Sequence, residues 1–457
     1  MNQTLTRYLP AFVKNKLERN PHLHAVISNT GWIAGDRIAR MAVGLLIGIW
    51  MARYLGPARY GQFSYALAFA FIFSPIAMLG LDEIVVRKLV REGDSPLSEG
   101  DGPPTSTKRD EILGTVFVLM LGGGLTVFAL ASAAIFLARP GDSLMHWLVA
   151  ILTAGTIFQA FLAIEFFFES QLQWKLSVYA KASAFLIVSI VKVVLIVSQA
   201  SLVAFAWASL AEIVLGSAGL AVVYQANGLR LAAWRCSRSM AVALMKDSWP
   251  VVFSVFLTTI YLKIDQIMLG TLAGDQELGL YAAAVRLTEA WNFIPMAICS
   301  SFFPTIMVLA TTDEESFHYH VQKLYNLMAL TAYAIAIPVA LLSHWIVKLL
   351  LTDVYAKTGS LLSVLIWSVL FTNLSAARNV FMVSQNWLKI NLVSTLLGCI
   401  VNILLNWLLI PVYGAMGAIA ASLFSYWFAA HGTCFLFKSL RPTGWMLAKA
   451  MIYPKVW

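Results

Sequence analysis

The sequence predicts an all-α membrane protein of about twelve transmembrane helices in two pseudo-symmetric six-helix bundles. Three observations predict it. Of 457 residues, 60% are hydrophobic and 12% charged, against about 25% charged in an average soluble protein. Mean hydropathy is +0.76. Apolar runs long enough to cross a bilayer recur along the whole chain, and a short glycine-aromatic pattern returns after half its length.

A soluble fold of this length would lack the polar surface to stay in solution. Composition also excludes a disordered chain, a secreted disulfide scaffold and a collagen-like rod. The net charge is +9, from 32 Lys+Arg against 23 Asp+Glu. No basic domain is long enough for nucleic acid, so the excess is read as basic loops on one side of a membrane. Cys236, Cys299, Cys399 and Cys434 are far apart, which speaks against a disulfide framework or a metal site. Residues 1–28 have no apolar core of a signal peptide.

The apolar runs fall at about 31–54, 62–84, 112–138, 144–168, 176–198, 201–225, 248–270, 279–306, 325–350, 360–384, 390–410 and 415–437. The stretch 91–110 is polar and Pro/Gly-rich and is expected to be a loop. Twelve spans place both termini on one side. Of the 32 basic residues, twenty fall in loops and tails on the side of the termini, five on the other, and seven inside spans. The positive-inside rule then puts both termini in the cytoplasm of a cell (inner) membrane protein.

Each half opens alike. After the first run comes Leu55-Gly56-Pro57, then Tyr60-Gly61-Gln62-Phe63; after the seventh come Gly270, Leu272 and Gly274, then Gly279-Leu280-Tyr281. Tyr413-Gly414-Ala415 echoes them before the last run. Gly61 and Gly279 are 218 residues apart. The expected organisation is a cytoplasmic amphipathic segment (1–30), a six-helix bundle (31–225), a basic linker (226–246), a second bundle (247–438) and a cytoplasmic tail (439–457). Such halves usually enclose a substrate site near the midplane.

From Gly31 to Leu89 the chain resembles polysaccharide flippases of the Wzx type, in the superfamily that also holds MATE exporters and the lipid II flippase. The residues that carry the resemblance are Ala52-Arg53-Tyr54-Leu55-Gly56-Pro57, Tyr60-Gly61-Gln62-Phe63 and Leu79-Gly80-Leu81. In the second half they are Ile264-Asp265, Met268-Leu269-Gly270, Gly279, Tyr281, Pro304 and Gly414-Ala415-Met416-Gly417-Ala418. The resemblance implies a MATE-like fold whose halves rock. It also implies transport of a polyprenyl-(pyro)phosphate-linked oligosaccharide from the inner to the outer leaflet. The partners implied are the lipid-linked oligosaccharide, the bilayer, and polysaccharide polymerase and chain-length machinery.

Charged residues inside the spans are the candidate site, because each costs about 2.5–3.5 kcal/mol at a helix centre on insertion scales. The substrate-binding candidates are Arg37, Arg40, Lys181, Lys192, Lys263 and Arg286. Asp36 can pair with Arg40 four residues on, and Arg286 with Glu289 three residues on. Lys181 and Lys192 share a helix face, expected to line a wet cavity or to pair with Glu165 and Glu212. Cations of this kind suit a pyrophosphate. Arg378 is read as an anchor near a span end. Asp36, Asp265 and Glu289 are the candidates for coupling to a cation, H+ or Na+, with no other cofactor and no metal site expected.

No phosphate-binding Gly-x-x-x-x-Gly-Lys-[Ser/Thr] run is present, so ATP-driven chemistry is not expected. An enzyme, such as a membrane glycosyltransferase or polymerase, would need catalytic groups on sizeable outer loops. Here those loops are tiny and hold only Asp142, Asp275, Glu277 and Asp353. A MATE-type exporter of small cations is the nearer alternative and predicts an acid-dominated cavity.

Overall fold

The computed structural model describes residues 21–91 and 106–455, with the side chains of 21–34, 36–38 and 106–107 outside the described set. Most of the expected 1–30 segment and 91–110 loop lie outside the described residues. Among the described residues the fold is all-helical. The first half holds α1 (Pro21–Met78), α2 (Asp82–Arg91), α3 (Ser106–Ala138), α4 (Ser143–Phe158), α5 (Leu162–Ser170), α6 (Trp174–Val197) and α7 (Leu202–Ala226). The second holds α8 (Arg238–Leu272), α9 (Asp275–Glu289), α10 (Phe293–Thr312), α11 (Glu314–Leu350), α12 (Ala356–Leu365), α13 (Ser368–Ser384), α14 (Leu388–Tyr413) and α15 (Ala415–Trp427). A π-helical turn, Phe428–Gly432, leads into the short α16 (Thr433–Leu436), and α17 (Arg441–Ile452) follows.

Ten helices among the described residues are long and apolar enough to cross a membrane; an eleventh span results if the pair α12–α13, bent by 43°, counts as one. The first of the ten, Ala39–Arg91, has 53 residues, about 80 Å if straight against a hydrocarbon core of roughly 30 Å. It breaks at Gly56, where φ is 70° and ψ 168°. Counting its two arms separately gives twelve. The chain is therefore built as a multi-pass membrane protein, with helices close to the apolar runs of the sequence.

Gly56 shares its backbone conformation with Gly274, which opens α9 at φ 89° and ψ 168°. That region of backbone space is essentially restricted to glycine. The two residues are 218 apart, the spacing of Gly61 and Gly279. The paired glycines meet. A Cβ on Gly61 would lie 1.8 Å from the carbonyl oxygen of Asp275, and one on Gly279 would lie 1.8 Å from that of Pro57. Pro57 and Asp275 are themselves 218 apart, so the contact is reciprocal about a local two-fold axis.

One apolar core spans both halves around these turns, joining Ile49, Tyr65, Ile135 and Phe205 to Leu269, Tyr281, Leu287, Tyr355 and Ile419. Away from this glycine-turn face the core divides. Leu89, Ile112, Phe168 and Tyr224 belong to a cluster of the first half, which Leu244 at the start of α8 also joins. Tyr325, Phe381, Cys434 and Leu447 belong to a cluster of the second half. The halves are thus joined at one face and partly separated toward the other.

Several helices begin earlier than the apolar runs indicate, among them two in the second half. α8 starts at Arg238 rather than near 248, and α11 at Glu314 rather than near 325. Apolar runs mark only membrane-buried turns; polar turns stay helical when capped, as Asp313 does by accepting from the amide of Ser316 at 3.1 Å. The tail is also ordered. α17 lies against α11, where Gln322 donates to the carbonyl of Met446 at 3.1 Å and Tyr333 to that of Met451 at 2.6 Å.

Candidate functional site: a cationic recess between the halves

α9 ends at Glu289 and α10 begins at Phe293, so the span they share is broken at Ala290–Asn292. The break opens a recess of about 360 Å³ against the first arm of α1, lined by Arg40, Met41, Leu45, Arg286, Glu289, Ala290 and Asn292. Broken helices are tolerated in membranes where they line a cavity.

Arg286 reaches from α9 across the seam. Its Nη2 donates to the carbonyl of Gly44 at 2.7 Å. Gly48 lies beneath the guanidinium, where a Cβ would sit 3.0 Å from Nε. Two glycines four apart therefore make the groove that admits the arginine. Glu289 does not bridge to Arg286 as its spacing suggested. It takes a bond from Lys263 Nζ at 3.1 Å, which clamps α8 to α9 and leaves Arg286 directed at α1. Lys263 also lies 5.8 Å from the centroid of the Phe71 ring. Arg40 enters from the other side, its guanidinium 5.3 Å from the centroid of the Phe185 ring on α6.

Of the residues singled out by sequence, the structure brings together Arg40, Lys263, Arg286 and Glu289. The side chains of Asp36 and Arg37 lie outside the described residues. Lys181 is held by both carboxylate oxygens of Glu165, at 2.7 and 2.9 Å, and Lys192 by Glu212 at 2.9 Å. Both lysines of the stripe are thus paired with the acids expected of them. Asp265 is separate again: it is buried, accepts from Tyr281 Oη, from the amide of Gln266 at 2.7 Å and from Ser422 Oγ at 3.4 Å. Arg378 is not a snorkelling anchor. It is 3% exposed and turns inward, donating to the carbonyls of Ala429 and Ala430, to Thr433 Oγ1 at 3.2 Å and to Asn391 Oδ1 at 3.3 Å. The carbonyls come from the π-helical turn.

Sequence reasoning passed over Asn292, Gly44, Gly48, Tyr281 and Ser422 as parts of these sites. Only the Gly44–Gly48 spacing carried a signal, a small-residue pair on one helix face. Three of the four loop carboxylates named from the sequence are engaged in structure. Asp142 caps α4 on the amide of Met145 at 3.0 Å. Asp275 pairs with Arg139 at 2.8 Å, and Glu277 pairs with Lys357. Burial by itself would lower the Arg139 pKa, but the bond and charge of Asp275, helped by Tyr65, together raise it.

A family profile described as "Polysaccharide biosynthesis protein" matches residues 26–310. The chain belongs to this polysaccharide biosynthesis protein family. A second profile, described as "MatE", matches residues 250–408. AglR of Haloferax volcanii, assigned as a flippase, is 29% identical over 172 residues, which are 36% of this chain and 35% of that protein. A Shigella dysenteriae protein assigned to O-antigen transport is 25% identical over 211 residues, 45% of this chain and 52% of that one. The chain thus matches about a third to a half of the length of these relatives. Two solved structures share the fold. The lipid II flippase MurJ in an inward closed conformation gives a TM-score of 0.69 at 13% identity, covering 92% of this chain and 90% of that one. An inward-facing multidrug resistance MATE family transporter of the MOP superfamily gives 0.67 at 13% identity, covering 88% and 96%. The resemblance read from the sequence and the MATE-like all-α fold are borne out.

Proposed function

We propose that this family member is a flippase that moves a polyprenyl-(pyro)phosphate-linked oligosaccharide from the inner to the outer leaflet of the cell (inner) membrane by alternating access. The observation that carries the reading is the recess at the broken α9–α10 span, where Arg40 and Arg286, with Lys263 beside them, outnumber Glu289, the one acid among the described residues that line it. Guanidinium forks suit pyrophosphate oxygens, and a cluster rich in cations repels the cationic substrates of an exporter. The named roles of the relatives support the same substrate class.

The basic excess on the linker side argues that this side is cytoplasmic, with both termini there. The recess would then be reached from the cytoplasm, and the glycine-turn face would be the closed outer gate. Of the coupling candidates, Asp265 has the setting a coupling acid needs: a buried carboxylate that takes hydroxyl donors from two neighbouring helices, where taking up H+ or Na+ would alter helix packing. The engagement of Asp142, Asp275 and Glu277 in a cap and ion pairs favours a transporter over a membrane enzyme. Polymerase and chain-length machinery are the partners expected to take the product.

The test is Arg286→Gln. A charge-assisted hydrogen bond contributes roughly 1.5–3 kcal/mol, so lipid-linked oligosaccharide export, normalised to protein level, should fall about ten- to a hundred-fold. Unchanged export would remove Arg286 from the substrate path.

A further inference from the structure

A second cavity, of about 670 Å³, lies in the second half between α8, α10 and α13. It adjoins the cationic recess: Asn292, at the break between α9 and α10, lines both. Leu262, on its wall, is the neighbour of Lys263. The two cavities differ in chemistry. None of the residues lining the second carries a charge, and Leu262, Met296, Phe303 and Val380 give it a largely apolar surface.

Three of its four Ser, Thr and Asn side chains are already engaged, and the fourth, Asn292, stands at the end shared with the recess. Ser300 donates to the carbonyl of Met296 at 2.8 Å, and Thr372 to that of Val369 at 3.2 Å. Asn379 Oδ1 accepts from Asn391, which is itself held by Arg378. A sugar would need free donors and acceptors to replace the water it loses. A hydrocarbon needs none. The lining therefore favours an aliphatic chain over the oligosaccharide.

We propose that this cavity holds the first isoprene units of a polyprenyl substrate while its pyrophosphate lies in the adjoining recess. The proposal rests on the flippase reading above and adds a tail site built by the second half alone. A polyprenyl chain in the bilayer is already in an apolar medium, so the slot acts through packing and orientation rather than through transfer from water. It would place the tail on one side of the recess at Asn292, and the sugar would have to extend away from it.

Cys299 lines the slot and reports on it. Cys399 and Cys434 are buried, so Cys236→Ser leaves Cys299 as the one partly accessible thiol among the described residues. In the purified full chain with that change, N-ethylmaleimide labelling of Cys299 is followed by peptide mass spectrometry. The probes are geranylgeranyl pyrophosphate, geranylgeraniol, inorganic pyrophosphate and maltotriose. Occupancy slows labelling by one plus the ratio of probe concentration to Kd, about ten-fold at ten times Kd. Geranylgeranyl pyrophosphate and geranylgeraniol should both slow it, and pyrophosphate and maltotriose should not. No protection by geranylgeraniol, or protection by maltotriose instead, overturns the tail site. Arg286→Gln separates the two readings. If both hold, it weakens protection by geranylgeranyl pyrophosphate but not by geranylgeraniol. If neither changes while geranylgeraniol still protects, the tail site stands and the headgroup assignment falls.

Discussion

The seam between the halves is built in two ways. At the glycine-turn face it is closed by backbone: Gly61 and Gly279 bring two helices together where no side chain fits, and a shared apolar core surrounds them. Polar bonds tie the same face. Tyr355, in the second half, reaches the carbonyl of Ala52 in the first at 2.9 Å, and within the first half Tyr54 reaches that of Ala200 at 2.8 Å. At the recess the seam is spanned by one long side chain, Arg286, crossing to Gly44. Small residues allow contact that excludes everything else, whereas a long charged residue spans a gap that a ligand can enter. The first arrangement suits a gate, and the second a binding site that must release its contact when substrate arrives.

The largest effect should come from filling the glycine contact. Gly61→Ala places a methyl group 1.8 Å from a backbone oxygen, which no rotamer relieves, so the turns must part. Export should be nearly abolished, and cysteines introduced beside the turns should become reactive to an impermeant thiol reagent from that side. Gly279→Ala should behave alike because the contact is reciprocal. Normal export in both would show that the face need not close so tightly.

A smaller effect is expected at Arg139, which pairs with Asp275, donates to the carbonyl of Gly270 at 2.8 Å and lies 4.0 Å from the centroid of the Tyr65 ring. Its side chain is 14% exposed and that of Asp275 20%. Solvent screening limits such a pair to roughly 1 kcal/mol, so Arg139→Gln should shift the same accessibility readout by about five-fold at most. A change as large as that of Gly61→Ala would mean that charge, not backbone contact, holds the gate.

The smallest effect on transport is expected at Lys192. Lys192→Gln leaves Glu212 without its partner and should lower protein abundance, and adding Glu212→Gln should restore both abundance and export. Full abundance with no export in the single variant, unrescued by the second change, would return Lys192 to the substrate site.

Much of the architecture was legible because it depends on local sequence. A run of apolar residues must be helical in a bilayer whatever its neighbours, since its backbone bonds have no other partner. Gly56 and Gly274 were legible as turns, and the 218-residue spacing of Gly61 and Gly279 exposed the repeat. The candidate charges were legible for the same reason, as groups that cannot face lipid.

Which partner each charge takes was decided by the tertiary structure. Spacing allowed Arg286 and Glu289 to bridge, yet packing of α8 on α9 gave Glu289 to Lys263 and sent Arg286 to Gly44. Spacing placed Lys181 and Lys192 on one face, but only the neighbours α5 and α7 supplied the acids that hold them. Arg378 lay near a span end by counting, and the π-helical turn of a distant helix drew it inward. Where helices run, where they turn and that the halves repeat can be read along the chain, because apolarity and backbone freedom belong to single residues. The cavities, the glycine contact and the ion pairs depend on how helices far apart in the chain meet, because a hydrogen bond between distant residues exists only once packing sets its length.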